Sequence, residues 1–251
     1  MKTLKKTRTE LEFDELNALN EIEDLIDSDS KRYAKAIPYH EYFGAMYISP
    51  EDMRRRIEFA EEIEDMMMWL FAYWIIAEEA DVPIDEVKAD AEEKLTSVVA
   101  RHTILDPYLE AYIHDLIGEV VDVTEEHRKK KDEYDEEEEI LDEFMSKEQD
   151  KEKEDYWLSQ DRAMLISENE ANAFDNYIDF KKAKAQGMTK KTWITELDDR
   201  VRLTHTLAEG QTVDIDGLFL VGGSKFRFPK DAMYEPSARE VVNCRCVCKY
   251  D

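Results

Sequence analysis

Glycine is almost absent from this chain until its last quarter. Of seven glycines, five lie between Gly187 and Gly223, and all three cysteines fall in Cys244-x-Cys246-x-Cys248. Long glycine-poor stretches with apolar residues at helical spacing favour helix, and clustered glycines supply the turns that short strands need. The expected class is α+β: a predominantly helical N-terminal body, a long connecting helix, and a small C-terminal α+β unit with short β-strands.

Charge divides the chain at the same place. Counting from Lys181, 13 basic residues face 10 acidic ones, a net of +3, so the first 180 residues carry −30 of the total of −27. A body this acidic repels phosphate, which excludes general nucleic-acid binding there. Weak DNA contact is expected only of the C-terminal unit. With 43% hydrophobic residues the chain can bury a real core.

Helix starts are readable. Thr9 and Glu12 fit a capping box before Phe13, Leu16, Leu19 and Ile22. Residues 27–48 form an irregular aromatic connector with Pro38 and Gly44. Ser49-Pro50-Glu51-Asp52 combines a capping hydroxyl, a first-turn proline and two acids, and predicts a helix to about Ala80. Its twelve-residue apolar run Met66–Ala77 is short of the ~20 residues a bilayer needs and reads as the buried centre of a bundle, with Met66–Met68, Trp69 and Trp74 as core. Pro83 opens a third helix to about Arg101, and Asp106-Pro107 a fourth. Residues 125–155 are charge-dense and read as an exposed helix or linker. An amphipathic helix then runs over 156–186 to Gly187, behind Lys181, Lys182 and Lys184. The expected division is an acidic helical domain over 1–124, a charged helical linker over 125–155, and a C-terminal domain over 156–251. Strands are expected at 192–195, 212–215 and 218–221, with turns at Gly210-Gln211, Asp216-Gly217 and Gly222-Gly223.

No signal peptide is recognisable, and three cysteines within five residues do not make a secreted disulfide framework, so folding in a reducing cytoplasm is expected. The richest polar cluster is Asp198, Asp199, Arg200, Arg202 and His205, with Asn243-Cys244-Arg245-Cys246 downstream. As a metal site, His205, Cys244 and Cys246 supply three donors, with Cys248 or Asp199 as a fourth. The spacing is not that of a C-x₂-C zinc site, and two thiols so close on a strand are expected to point apart. As a catalytic site, His205 would pair with Asp198 or Asp199, or a cysteine would serve as nucleophile. No Ser elbow, phosphate loop or Glu-x-Glu element accompanies it. The preferred expectation is no catalytic residue and no cofactor, with Arg202 and His205 in a buried network with nearby acids. His40, His102, His114 and His127 lack a second His at i+3 or i+4 and read as ordinary surface or core residues.

An ordered set remains: Trp193-Ile194-Thr195, Asp199-Arg200-Val201-Arg202-x-x-His205, Gly210, Asp216–Phe219, Pro229 and Asn243-Cys244-Arg245-Cys246. Arg162-Ala163, Glu170 and Asn176 precede it on the long helix. This set resembles the head-morphogenesis family of tailed bacteriophages, the Mu F-like minor head proteins, over about residues 155–251. The resemblance implies a structural signature of Trp193, Asp199, Arg202, His205, Phe219, Pro229, Asn243, Cys244, Arg245 and Cys246. It implies a non-enzymatic component of the capsid interior, present in the virion after assembly in the host cytoplasm. The expected partners are the portal, major capsid or scaffold proteins, without a membrane, and the expected role is head assembly and the handling of packaged DNA. Many relatives have Cys-x-x-Cys or Cys-x-x-His at Arg202-x-x-His205, so the change here weakens a zinc site of the family's kind. Some relatives carry C-terminal ADP-ribosyltransferase modules; none is expected after Cys248. The alternatives are an ADP-ribosyltransferase-like or nuclease-like enzyme built on the C-terminal unit, and a zinc-stapled adaptor.

Overall fold

The structure, a computed structural model, describes residues 36–44, 48–138 and 156–251. The first expected helix, with Thr9 and Glu12, and residues 139–155 of the expected linker lie outside the described residues.

The helices begin where the caps are. After a short α1, Tyr39–Tyr42, helix α2 runs Pro50–Glu79, and the Ser49 hydroxyl accepts the Asp52 amide at 3.1 Å. Helix α3, Ile84–His102, starts after Pro83. At α4, Pro107–Glu138, the Asp106 carboxylate accepts the amides of Tyr108 and Leu109. Helix α5, Gln160–Ala185, is capped by Ser159, and Gly187 at φ +76° lies just past its end. There a side chain would strain the left-handed backbone.

One core joins α1 to α5. Phe59, Ile63, Met67, Leu70, Phe71 and Trp74 of α2 pack with Leu95 of α3, Ile113 and Ile117 of α4, and Phe174 and Tyr177 of α5. One face of Met66–Ala77 (Met66, Met67, Leu70, Phe71, Trp74 and Ala77) is buried protein core, Met68 and Trp69 are half-buried, and Ile75 and Ile76 are exposed; among the described residues no helix is long and apolar enough to cross a membrane. Arg55 and Arg56 of α2 face Asp175 and Asp179 of α5 across this contact. Composition changes over 125–155, but packing does not divide there. Residues 125–138 continue α4, and α5 shares the core of α2, so residues 36–251 form one compact unit.

Beyond α5 the α+β part is built on β1 (Lys190–Ile194), β2 (Thr212–Asp214), β3 (Phe219–Val221), β4 (Ser224–Phe226) and β5 (Val247–Tyr250). The three-stranded sheet has the order β2-β1-β5, all antiparallel, with Trp193 opposite Cys248. Strands β3 and β4 form a separate hairpin that turns at Gly222-Gly223. Helix α6 (Leu203–Ala208), a 3₁₀ turn (Ala232–Tyr234) and α7 (Ala238–Val241) complete it. A second core gathers Trp193, Ala208, Phe219, Val221, Phe226, Cys244 and Cys246. Lys191, on the same face of β1 as Trp193, is also buried. Its ammonium lies 4.9 Å from the Phe180 ring and 5.3 Å from that of Phe219, and burial lowers its pKa to about 8.

Candidate functional site

Three polar side chains of α5 hold the Asn243–Cys246 segment in place. Asn169, Asn172 and Asn176 are spaced i, i+3 and i+7, which places them on one helix face. Asn169 accepts the Asn243 amide at 2.6 Å and donates to the Asn243 side-chain oxygen at 3.1 Å. Asn172 donates to the Cys244 carbonyl at 2.9 Å, and Asn176 to that of Cys246 at 3.2 Å. The Tyr42 hydroxyl also donates to the Cys244 carbonyl, at 2.9 Å. Lys230, buried at φ +66°, donates to Tyr42 and to both oxygens of Asn169. Burial lowers the Lys230 pKa to about 8. The segment's backbone is thus satisfied by side chains where no sheet partner reaches it.

Above this segment His205, Cys244 and Cys246 converge. His205 Nδ1 lies 3.3 Å from Cys246 Sγ and 3.6 Å from Cys244 Sγ, and all three donor atoms lie within 4.8 Å of one another. The expected divergence of the thiols is corrected. Residues i and i+2 of an extended backbone share a face, and Cys244 and Cys246 both turn toward the histidine. Cys248 is not the fourth member. It lies on β5, near Tyr250 and Lys191, where burial raises its thiol to about 12.

The acid that faces His205 is Glu240 of α7. His205 Nε2 lies 3.0 Å from Glu240 Oε2, which also accepts the Thr204 hydroxyl at 2.8 Å. Glu240 replaces the Asp198 or Asp199 expected from local sequence. Asp198 instead binds Arg245 through both oxygens, at 2.6 and 2.7 Å, and Asp199 is exposed in a turn. Nor does Arg202 enter a buried ion network; its guanidinium donates to the Val242 carbonyl. Gly222 lets Glu240 come close, because a Cβ at that position would strike its carboxylate. Burial alone would lower the His205 pKa, but Cys244 and Glu240 raise it to about 9. Burial would likewise raise Cys244, yet donation from Cys246 and the His205 charge hold it well below the usual thiol range. Burial and the neighbouring Cys244 push Cys246 well above it.

The remaining signature residues, Trp193, Phe219 and Pro229, are buried. Trp193 is fully buried, edge-on to Phe219 at 5.3 Å and to His205 at 5.7 Å, and Pro229 is buried beside Lys230. A Glu–His–Cys chain has the donor order of an activated thiol, but Cys244 is only 2% exposed. The cavity beside it, lined by Glu196, Arg200, Arg202, Asn243 and Arg245, has a volume of about 10 Å³. That is at the lower limit of ~10–15 Å³ for one water and far below the ~300 Å³ of a small-molecule site. His205, Cys244 and Cys246 are the one group of three among the described residues placed to hold a metal ion.

The sequence offers one usable signal for the supporting residues: three asparagines at i, i+3 and i+7 on one face of a helix, whose buried positions also include Arg162, Ser167, Glu168 and Asp175. Glu240 and Tyr42 carry no such signal.

No family model and no solved structure matches the chain. A curated protein of Enterococcus faecalis named NAD(+)–arginine ADP-ribosyltransferase EFV is 37% identical over 68 residues, which is 27% of this chain and 13% of that protein. The chain therefore matches about an eighth of that protein's length.

Proposed function

We propose that this chain is a non-enzymatic minor head protein of a tailed phage. It would sit in the capsid interior beside the portal and act in head assembly, with portal, major capsid or scaffold protein as partner. The observation that carries this reading is how the signature residues are used. Trp193, Phe219, Cys244 and Cys246 close a core, and Asn243–Cys246 are held on the long helix by the side chains of Asn169, Asn172 and Asn176, with only about 10 Å³ left beside His205. Residues spent on holding a shape suit a part that docks on a large assembly. Leu203 and Leu207, 74% and 78% exposed on α6, offer it apolar contact area. Contact with packaged DNA rests on the charge split. Lys181 and Lys184 are paired with Asp106 and Asp216, so that contact would be weak and lost as salt rises.

The alternative is an NAD-using enzyme, and the short likeness to an arginine ADP-ribosyltransferase is too limited in length to favour it. The likeness covers 13% of that protein, and some members of the head-morphogenesis family carry such modules as separate C-terminal parts. The test is to express the full chain with the proteins encoded beside it and to supply NAD⁺ with an arginine-rich acceptor. Co-purification with a portal or capsid protein, with NAD⁺ unconsumed, supports the head reading. Turnover of NAD⁺ without such a partner replaces it with the enzyme reading.

A further inference from the structure

We propose that His205, Cys244 and Cys246 bind one zinc(II) ion, coordinated through the imidazole Nδ1 and the two Sγ atoms, with Glu240 orienting the imidazole from behind. This inference goes beyond the head reading and does not depend on it.

The spacing of the donors carries the argument. In a tetrahedral site with Zn–N about 2.05 Å and Zn–S about 2.3 Å, imidazole nitrogen and thiolate sulfur stand about 3.6 Å apart and two sulfurs about 3.8 Å apart. The two nitrogen–sulfur distances, 3.3 and 3.6 Å, already lie close to this, and no pair of the three donors exceeds 4.8 Å. Two thiols and a ring nitrogen that merely fill a core need not all aim at one point.

The back of the histidine is the second observation. Zinc-bound imidazoles commonly donate their other N–H to a carboxylate, which fixes the tautomer and raises ligand basicity. Nε2 faces Glu240 Oε2 at 3.0 Å, which leaves the Nδ1 lone pair to the thiols' side once a metal is bound. Thr204 holds the same carboxylate oxygen, and Gly222 clears its approach.

The third is rigidity. Cys244 and Cys246 are fixed by their own carbonyls, bound to Asn172, Tyr42 and Asn176, so the thiols are positioned by α1 and α5 instead of by a mobile loop. Three protein donors leave a fourth position. The void of about 10 Å³ beside the cluster, lined in part by Glu196 and Asn243, has room at most for a single water as that ligand. Thiolate donors select zinc over magnesium or calcium. Binding forms one Zn–N and two Zn–S bonds, and the protons held by the thiols and by Nδ1 pass to solvent. The site is too enclosed to admit a substrate, so the ion would be structural, joining α6 to the segment before β5.

The test uses the full chain without a histidine tag. Purified protein, stripped and then reloaded with zinc, is assayed for bound metal, and cobalt(II) loading is followed by absorption. About one zinc per chain is expected, with the thiolate-to-cobalt charge-transfer band and intense visible bands of a tetrahedral site. Cys244→Ser and Cys246→Ser should lose most of the zinc and the charge-transfer intensity, whereas Cys248→Ser should keep both. Glu240→Gln should keep the bands but weaken zinc affinity about 10–100-fold. Circular dichroism on each variant separates loss of ligands from loss of fold. Where a cysteine variant fails to fold, thiol modification of the stripped and the zinc-reloaded wild type is compared: zinc should slow modification of Cys244 and Cys246 relative to the stripped protein and leave Cys248 unchanged, and equal rates in the two forms overturn the proposal. Less than half an equivalent of zinc after reloading, or equal retention by Cys244→Ser, Cys246→Ser and Cys248→Ser, overturns the proposal.

Discussion

Asn172→Ala tests whether the helix α5 clamp is what holds the Asn243–Cys246 segment. Asn172 is 1% exposed and serves two partners that no other orientation of its amide would satisfy. Its oxygen accepts Arg56 Nη1 at 2.5 Å, and its nitrogen donates to the Cys244 carbonyl at 2.9 Å. Guanidinium only donates and carbonyl only accepts, so the amide's orientation is fixed by chemistry. Alanine removes a charge-assisted bond worth about 1.5–3 kcal/mol and a neutral one worth about 1 kcal/mol, and leaves a buried guanidinium N–H without a partner. The expected loss is about 3–5 kcal/mol, which for a unit of this size lowers the melting temperature by about 10 °C.

Thermal and urea unfolding of the full chain, in the presence of a chelator so that metal does not contribute, measures it. A second variant sharpens the test. Tyr42 also donates to the Cys244 carbonyl, so either donor alone still satisfies that oxygen. Tyr42→Phe with Asn172→Ala should therefore cost more than the two single changes added, by about 1 kcal/mol or more. A fall in melting temperature below about 2 °C, or strict additivity in the double variant, refutes the idea that these side chains carry the segment.

Trp193→Ala should destabilise by about 3–5 kcal/mol, because the ring is fully buried in a small core with few neighbours able to collapse; an unchanged melt in the chelated protein would contradict that. Gly222→Ala should cost about 2–3 kcal/mol, since it strains a left-handed residue at φ +55° and displaces Glu240. Gly223→Ala, at φ +82° with open space around the new methyl, should cost only about 1 kcal/mol, and equal melts for the two would refute the contact argument. Glu168 supplies the pH dependence: burial holds its folded carboxyl at about 8, against an ordinary 4.5. A raised acid pKa adds stability that is full below pH 4.5 and is lost as pH rises through about 8. Glu168→Gln should then gain on the wild type by about 3–5 kcal/mol between pH 5 and pH 8.5, and parallel pH–stability curves would exclude this.

Local grammar made the helices legible. Ser49-Pro50, Pro83, Asp106-Pro107 and Gly187 are punctuation that acts on the residues beside it: α2, α3 and α4 begin at the first three marks and α5 ends two residues before the last. The strands at 192–195, 212–215 and 218–221 were likewise marked by β-branched residues and glycine turns. What stayed hidden are pairings between distant residues. Glu240 lies 35 positions from His205, so a reader of sequence looks to Asp198 and Asp199, which are nearer but turned toward Arg245 and solvent. The charge-dense stretch suggested a domain boundary because composition is a surface property. The apolar stripe of α5, read only as a buried face, does not announce that it is buried against α2.

The convergence of His205, Cys244 and Cys246 follows from register more than from residue type. A cysteine pair at i and i+2 shares a face only while the backbone between them stays extended, and β5 begins at Val247, after both cysteines. Sheet pairing therefore cannot hold that stretch; the asparagines at 169, 172 and 176 do. Their spacing on a helix advances about 1.5 Å per residue, so the step from Asn172 to Asn176 spans about 6 Å. Two residues of extended chain cover about 6.6 Å, so successive rungs meet the carbonyls of Cys244 and Cys246 without distortion. Sliding the segment by one residue would leave these rungs opposite residues whose carbonyls point to the other edge of the chain and would turn both thiols away from His205. The polar ladder on α5 thus decides where the cysteines point, which is why moving one asparagine along the helix should disperse the cluster even with every cysteine and histidine retained.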